Sequence, residues 1–218
     1  MTAPTVLVTA KAPVAGRAKT RLAAVTGDAV AADLAAAALL DTIAAVAATP
    51  GVRGHLALDG DLAEAARGDE LAAAVDGWTI TPQRGDGFAE RLVAAHQDAG
   101  AGPVLQVGMD TPQLTPDLLL AALADLEAYD ACLGPADDGG WWILARHDPA
   151  VAEPLAHVAM STPTTYADTL AALHDAGHRV TSTATLRDVD TVDDAEAVAA
   201  LAPGTRFAST FLAWKGSS

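Results

Sequence analysis

The chain has 218 residues, of which 51% are hydrophobic, and this predicts one domain over residues 1–218 with a sizeable core. Its formal net charge of −15 argues against nucleic acid or an anionic membrane as a partner, because both require a basic protein face. The single cysteine, Cys132, excludes an internal disulfide, and no signal peptide or membrane span is recognised, so a cytoplasmic protein is predicted.

Strand-like and helix-like segments alternate along the chain. Short apolar runs with β-branched residues predict strands, and longer alanine- and leucine-rich runs predict helices. In chain order the predicted elements are strand 5–10, helix 28–48, strand 55–58, helix 62–75, strand 78–81, helix 88–98, strand 104–107, helix 117–128, strands 131–133 and 141–144, helix 162–176, strand 179–184 and helix 192–201.

This repeating order favours a mostly parallel sheet that helices cover on both faces. Ligands of such folds lie beyond the carboxyl ends of the strands. We therefore expect the loops after strands one, three, four and the last to share one cleft. Residues 207–214 form an aromatic tail that is expected to dock on the domain or on a second subunit.

The loop after the first predicted strand concentrates positive charge. Two of the three lysines, Lys11 and Lys19, lie here together with Arg17 and Arg21. A strand that leads into a glycine-containing loop and a helix is typical of a phosphate-binding site. The spacing fits neither a P-loop nor a dinucleotide fingerprint, because Gly16 is the only glycine of the loop. The alternative is a solvated connection whose cations only balance acidic neighbours.

The loop after the third predicted strand, residues 83–87, is rich in glycine. Its glycines would let a nucleobase lie against the backbone, and the Gln83 amide offers both a donor and an acceptor. The alternative is an ordinary strand-to-helix loop in which Asp86 caps the helix.

A carboxylate, Asp110, follows the fourth predicted strand in the stretch GMDTP of residues 108–112. In a cleft that also holds a cationic loop, this position suits Mg²⁺, which prefers one or two carboxylates together with phosphate oxygens. The alternative is a turn in which Asp110 accepts hydrogen bonds only from backbone N–H groups.

Residues 134–142 read GPADDGGWW. Asp-Gly-Gly supplies backbone freedom between two strands, as a hairpin turn does. The sharper alternative is close approach of the backbone to a sugar, with Trp141 as an aromatic wall and Asp137 and Asp138 for the hydroxyls. The residues alone leave both alternatives open.

Two aspartates follow the last predicted strand. Alternation places Asp188 and Asp190 on the same side of an extended segment, where they could join a metal site. Asp190 or Thr191 is also suited to cap the next helix, with Asp193 and Asp194 complementing its dipole. Capping and metal binding do not exclude each other.

Taken in order, these motifs resemble the bacterial GT-A-fold family of nucleotide-diphospho-sugar transferases, also called radical-SAM/selenodomain-associated or arsenosugar-biosynthesis transferases. The resemblance covers residues 5 to 200. Trp141 stands where family members have Tyr, and Met160 where they often have Trp, both on the expected acceptor side. The motifs are AKAPVAGRAKTRL at 10–22, QRGD at 83–86, GMDTP at 108–112, GPADDGG at 134–140 and DVDT at 188–191.

The resemblance implies a Rossmann-like GT-A fold: three α/β/α layers around a mostly parallel mixed sheet, with one antiparallel strand near residues 141–144. It implies metal-dependent transfer of a glycosyl group from a nucleotide-diphosphate sugar to a small-molecule acceptor. The alternatives are a nucleotidyltransferase that joins an NTP to a phosphorylated small molecule with pyrophosphate release, and a non-catalytic nucleotide-binding domain. A homodimer is the assembly to be tested.

The cleft and the resemblance together define the predicted site. Asp110 and Asp190 would hold Mg²⁺ or Mn²⁺. The predicted catalytic residues are Asp110, Asp137, Asp138 and Lys19; the predicted nucleotide-binding residues are Ala10, Lys11, Pro13, Gly16, Lys19, Thr20, Arg21, Gln83, Gly85 and Asp86; the predicted acceptor or sugar residues are Asp138, Gly139, Gly140 and Trp141.

Overall fold

A computed structural model describes residues 3–217, and the described residues form seven strands, eight α-helices and two 3₁₀ helices. The strands are β1 (Thr5–Lys11), β2 (Arg53–Asp59), β3 (Thr79–Pro82), β4 (Val104–Val107), β5 (Ala131–Pro135), β6 (Trp141–Arg146) and β7 (Val180–Ser182). The α-helices are α1 (Thr20–Thr26), α2 (Asp28–Ala48), α3 (Gly68–Ala74), α4 (Phe88–Ala99), α5 (Pro116–Asp125), α6 (Thr165–Asp175), α7 (Val192–Leu201) and α8 (Arg206–Ser217), and the 3₁₀ helices span Leu62–Glu64 and Pro149–His157.

The strands form one mixed sheet in the order β3-β2-β1-β4-β6-β5-β7. Strand β6 runs antiparallel to its neighbours β4 and β5, and every other pair of neighbouring strands is parallel. The predicted mostly parallel mixed sheet, with an antiparallel strand near residues 141–144, is therefore confirmed.

Helices cover both faces of the sheet. On one face, α2, α3 and α5 pack on the apolar side chains of the central strands. On the other face, α4, α6 and the 3₁₀ helix Pro149–His157 pack on a second set of strand side chains. A further cluster joins α1, α7 and α8 to the outer side of α2. Helix α2 is thus apolar on both sides because it packs between the sheet and this outer layer.

Among residues 3–217, α2 is long and apolar enough to cross a membrane by length and composition. Most of this helix is buried between the sheet and α8, as a core helix of a soluble protein is. Its apolar composition is accounted for by this packing.

Several elements follow the sequence prediction closely. Strand β4 and helix α7 have the predicted bounds. Helix α5 begins one residue before its predicted start, with Thr115 as its N-cap and Pro116 at its first position. Thr191 and Asp194 form a capping box at the start of α7, so Thr191 rather than Asp190 caps this helix.

The predicted helix 62–75 is wrong, because the chain breaks into a 3₁₀ turn and α3. Arg67 stands between them in the left-handed region, with φ 53°. In this conformation its guanidinium donates two hydrogen bonds to Asp33 on α2, at 2.6 and 2.9 Å. A tertiary ion pair therefore overrides the local helix pattern.

The aromatic tail forms α8 and docks on its own chain. Phe207 and Phe211 are buried in the cluster with α2 and α7. The buried carboxylate of Asp41, on α2, accepts the backbone N–H groups of Arg206 and Phe207 at 3.0 and 2.8 Å. These bonds satisfy the first turn of α8 and fix its position.

Candidate functional site

A cavity of about 430 Å³ opens at the carboxyl ends of β1, β2, β3 and β4. The last residues of β1 and β2 and residues that follow β3, β4 and β7 line it, at the carboxyl end expected for an α/β sheet of this kind. The loop after β1, which was expected in the same cleft, lies outside this lining. The predicted site residues that line this main pocket are Ala10, Lys11, Gln83, Asp110, Asp138, Gly140 and Trp141.

The strand ends of β1, β2 and β3 form one wall of the main pocket. Lys11 and Asp59 are in register, and Asp59 accepts a 2.9 Å hydrogen bond from Arg91 of α4. The side-chain nitrogen of Gln83 donates to two backbone carbonyls, those of Ala10 and Ala57, at 3.0 Å each. Because both partners are acceptors, the remaining amide oxygen of Gln83 can only accept hydrogen bonds.

Lys19 holds Asp110 from behind the main pocket. Its ammonium lies 2.6 Å from Oδ2 of Asp110, and the two side chains are 14% and 31% exposed. Lys19 is outside the lining of the main pocket; it borders a small cavity behind Asp110, of about 10 Å³, together with Leu22, Val189 and Phe207. Burial acts to lower the pKa of Lys19, but Asp110 and the charges of two further aspartates raise it above its usual value.

Asp188 faces the same pocket as Asp110. Burial and the negative charges of Asp110 and Asp138 raise the pKa of Asp188 to about 6, although the positive charge of Lys19 opposes this rise. The carboxylates on this side of the pocket therefore carry negative charge that Lys19 alone does not balance.

Asp190 lies apart from the main pocket. Its carboxylate accepts a 2.7 Å hydrogen bond from Arg21. Both residues line a neighbouring cavity of about 220 Å³, which Asp137, Asp138 and Asp188 also border. Asp110 and Asp188 line the main pocket, whereas the predicted metal residue Asp190 lines the neighbouring cavity together with Asp188.

The other predicted residues surround the pocket without lining it. Asp137 binds Arg187 at 3.0 Å, and α4 begins after Gly87, so Asp86 is not its N-cap. Gly139 has φ 90°, and a Cβ there would lie 2.1 Å from the carbonyl oxygen of Pro163. The remaining predicted residues outside the lining are Pro13, Gly16, Thr20, Arg21, Gly85 and Asp190.

Several lining residues were not predicted. Asp59 ends β2 as Asp110 follows β4, so the rule that placed Asp110 at the cleft would also have found Asp59. The sequence indicates Asp188 as a possible metal-site residue together with Asp190, but alternation places both side chains on the same face and does not distinguish them. The other unpredicted lining residues include Thr9, Phe88, Arg91, Gln106, Thr111, Met160, Ser161 and Thr165.

The donor set fits a hard divalent cation. No group of three or more His, Cys, Asp or Glu side chains with metal-binding geometry occurs in residues 3–217. Asp110 and Asp188 nevertheless present carboxylate oxygens to one pocket, and the buried Thr111 hydroxyl beside Asp110 has no hydrogen-bond partner. Two carboxylates with substrate oxygens completing the shell suit Mg²⁺ or Mn²⁺.

Buried polar side chains lie beneath the pocket floor. Gln106 donates to the Thr9 hydroxyl at 3.1 Å, and Thr9 donates to a backbone carbonyl of β4. Farther down, Arg146 is fully buried and donates to His96 Nδ1 at 3.1 Å. Burial and the charge of Arg146 lower the pKa of His96 to about 3, although Gln106 opposes this. His96 is therefore neutral at physiological pH.

Similarity to known proteins supports a transferase-like fold. The family model described as "Uncharacterized protein conserved in bacteria (DUF2064)" matches residues 42–162. A phosphoenolpyruvate guanylyltransferase of Geodermatophilus obscurus is 35% identical over 106 residues, which are 49% of this chain. The match covers 47% of that protein, so the chain spans about half the length of this curated relative.

Two solved structures illustrate the fold. A structure from Desulfovibrio desulfuricans G20, provisionally assigned as a nucleotide-diphospho-sugar transferase, has a TM-score of 0.81 and 27% identity and covers 97% of this chain and 94% of its own. A nucleotidyl transferase from Methanothermobacter thermautotroptrophicus has a TM-score of 0.59 and 15% identity and covers 89% and 95%. The GT-A-like architecture expected from the sequence motifs is therefore confirmed.

Proposed function

The chain belongs to the DUF2064 family of bacterial proteins, and we propose that it is a metal-dependent nucleotidyltransferase that joins a nucleoside triphosphate to a phosphorylated small molecule and releases pyrophosphate. One observation carries the proposal: the main pocket joins the cations Lys11 and Arg91 to the carboxylates Asp110 and Asp188. The guanylyltransferase of Geodermatophilus obscurus supports this activity over glycosyl transfer.

In the proposed reaction, an oxygen of the acceptor's phosphate attacks the α-phosphorus of the nucleotide. A new phosphorus–oxygen bond forms, and the bond between the α-phosphorus and the bridging oxygen breaks, so that this oxygen leaves with pyrophosphate. Little covalent chemistry falls to the protein, and positioning and charge neutralisation supply most of the rate. Lys11, on the rim of the main pocket, is the side chain suited to bind the triphosphate.

Asp110 and Asp188 would hold the divalent cation. When bound, Mg²⁺ or Mn²⁺ neutralises charge on the phosphates and on the departing pyrophosphate. The two carboxylates would hold the cation beside the pocket, and the buried Thr111 hydroxyl, which has no hydrogen-bond partner, would be available to a ligand of the cation.

Gln83 and Asp59 would bind the nucleobase or ribose. The Gln83 amide nitrogen is committed to backbone carbonyls, so its oxygen accepts a donor of the ligand. The opposite side of the pocket, lined by Asp138, Trp141 and Thr165, would bind the acceptor. Asp138 already accepts the backbone N–H of Gly140 at 2.7 Å, which fixes one of its oxygens.

Glycosyl transfer is the second candidate function. It is favoured by the assignment of the structure from Desulfovibrio desulfuricans, which matches nearly the whole chain. The same carboxylate-bound cation would then stabilise a departing nucleoside diphosphate. Trp141 and the carboxylate of Asp138 would contact the sugar.

The two candidates release different products, and this difference provides the test. The protein is incubated with Mn²⁺ and each of GTP, CTP, UTP and ATP, together with a panel of phosphorylated acids and sugars, and pyrophosphate is measured. A parallel series with UDP- and GDP-sugars measures released UDP or GDP. Pyrophosphate release that requires an acceptor supports nucleotidyl transfer. Release of UDP or GDP from a nucleotide-sugar, without any pyrophosphate release from the triphosphates, overturns nucleotidyl transfer in favour of glycosyl transfer.

A variant gives the matched control for this assay. Asp110→Asn should strongly reduce release of either product. Asp190→Asn should retain it, because Asp190 pairs with Arg21 outside the main pocket. Thermal shift with each nucleotide separates binding from turnover: stabilisation without any product in either series would favour a non-catalytic nucleotide-binding domain.

The proposed setting is a cytoplasmic single-domain enzyme that acts on small molecules as a homodimer. The net charge of −15 supports the absence of nucleic acid among its partners. Sedimentation of the purified protein would test the dimer, because a monomer at micromolar concentration contradicts it.

A further inference from the structure

We infer that Lys19 is the resident counter-ion of Asp110 and that it makes tight binding of the divalent metal depend on the arrival of the nucleotide. This role differs from direct phosphate binding, which the position of Lys19 in the first loop had predicted. It rests on the metal site proposed above but not on the reaction that the site performs.

The geometry separates Lys19 from the other cations of its loop. Lys11 lines the main pocket, and the Arg21 side chain is 77% exposed beside Asp190. Lys19 instead approaches Asp110 from the protein side, at 2.6 Å, and is 14% exposed. Asp110 therefore has one oxygen held by an ammonium behind it while its residue borders the open pocket in front.

The backbone of Lys19 is held in an unusual conformation. Its φ of 49° and ψ of 55° lie in the left-handed region, which costs free energy for a residue with a side chain. The conformation directs the side chain into apolar surroundings just before α1 begins. The apolar residues that border the cavity beside Lys19 are Leu22, Leu34, Ala35, Ala38, Val189 and Phe207.

The charges around Asp110 explain why this ammonium matters for a metal. The negative charges of Asp188 and Asp190 also act on Lys19, and Asp190 has in addition its own ion pair with Arg21. A divalent ion that approaches Asp110 from the pocket meets this positive charge within a few ångströms, in a partly buried site where screening by water is weak. Lys19 therefore lowers the affinity of the free protein for the metal.

A bound triphosphate changes this balance. Its negative charges offset the ammonium and supply oxygen ligands for the cation, so the metal and the nucleotide bind more tightly together than apart. Such coupling is reciprocal: the factor by which phosphate strengthens metal binding equals the factor by which metal strengthens phosphate binding. Lys19 would be the residue that sets the size of this factor.

The test measures Mn²⁺ binding to the free protein by the electron paramagnetic resonance signal of unbound Mn²⁺. Lys19→Met should bind Mn²⁺ at least about tenfold more tightly than the wild type, because a unit charge next to a dication has been removed. Lys19→Arg keeps the charge and should bind as weakly as the wild type. Arg21→Gln, which removes an exposed cation from the same loop, is the matched control and should change the affinity little.

The titrations are repeated with inorganic tripolyphosphate, whose own affinity for Mn²⁺ is measured separately. Tripolyphosphate should strengthen Mn²⁺ binding to the wild type more than to Lys19→Met. The inference is overturned if Lys19→Met binds Mn²⁺ no more tightly than the wild type, if Arg21→Gln gives the same gain, or if the strengthening by tripolyphosphate is equal in both proteins.

Loss of structure in Lys19→Met is checked separately. Removal of the ammonium leaves Asp110 and Asp188 facing each other, so this variant should unfold at lower temperature, and saturating Mn²⁺ should raise its unfolding temperature more than that of the wild type. An equal rise in both proteins contradicts the inference. Because no transfer is measured here, the outcome is independent of whether pyrophosphate or a nucleoside diphosphate is released.

Discussion

Two cations of this acidic chain, Arg146 and Lys19, are withdrawn from solvent at opposite ends of the strands. Arg146, at the end of β6, is fully buried, and its guanidinium donates to the carbonyls of Gly100 and His96 and to the neutral ring of His96. Lys19, at the carboxyl ends of the strands, is held by the carboxylate of Asp110. One cation is surrounded by dipoles and the other by acids.

The difference separates a cation that stabilises the fold from one whose carboxylate partner is also a possible metal ligand. The backbone carbonyls that accept from Arg146 include those at the C-terminal end of α4. Burial lowers the pKa of Arg146 only to about 10, so it stays charged at neutral pH. Carboxylates around Lys19 are also good ligands for a metal ion, and they face a cavity that admits one. The first arrangement stabilises the fold, and the second leaves carboxylate oxygens beside an open cavity.

The largest expected effect concerns Asp110, the carboxylate partner of Lys19. Asp110→Asn should reduce product release in the transfer assay by about 10² to 10³-fold, because it removes the charge of a proposed metal ligand. Circular dichroism should show an unchanged fold. Activity close to that of the wild type would mean that Asp110 only pairs with Lys19.

Arg146→Met tests the structural side. This change leaves the carbonyls of Gly100 and His96 without their donor in a buried region, and we expect a loss of about 3 kcal/mol or more in the free energy of unfolding. Urea denaturation measures it. Mn²⁺ affinity should stay at the wild-type value, and a parallel loss of metal binding would break the distinction between the two cations.

His96, the neutral partner of Arg146, gives the third effect. Its pKa in the folded protein is about 3, well below the ordinary 6.5, so below pH 6.5 the unfolded chain takes up a proton that the folded protein does not. Its contribution to stability is therefore complete above pH 6.5 and falls by about 1.4 kcal/mol per pH unit down to about pH 3.

The control for this titration is His96→Asn, whose side-chain oxygen can still accept from Arg146 but does not titrate. Urea midpoints of both proteins between pH 7 and pH 4 should converge as the pH falls, after allowance for the carboxylates they share. Parallel curves would show that the pKa of His96 in the folded protein is not lowered from its ordinary value.

The smallest effect concerns Arg21, an exposed cation of the first loop. Arg21→Gln breaks the 2.7 Å ion pair with Asp190, yet stability should change by less than about 1 kcal/mol because the guanidinium is largely in water. Salt up to 0.5 M should reduce even this difference. A larger loss would place Arg21 with the withdrawn cations.

The sequence predicted those features that local pattern and topology determine. Strand β4 is a short apolar run, and the Thr191 cap fixes the start of α7. The rule that parallel strands end at one edge brought Lys11, Gln83 and Asp110 into one pocket.

What escaped prediction depends on contacts between distant residues. The break at Arg67 follows from its pairing with Asp33, and the short α1 is separated from α2 only by Gly27. Asp188 lines the main pocket while Asp190 pairs with Arg21, 169 residues away, and alternation along the chain does not reveal this difference. Nothing in the residues near His96 or Arg146 indicates that they meet in the core.

The buried ring of Phe207 links the C-terminal helix α8 to the ion pair of the first loop. Phe207 opens α8, is almost completely buried, and borders the small cavity beside Lys19. Phe207 thereby shields the methylene groups of Lys19 from water, so the ion pair between Lys19 and Asp110 is stronger than it would be in full contact with solvent. Helix α8, some 190 residues downstream, thus affects an ion pair made by the first loop. Partial unfolding of α8 would admit water and weaken the pair of Lys19 and Asp110 without changing any charged group.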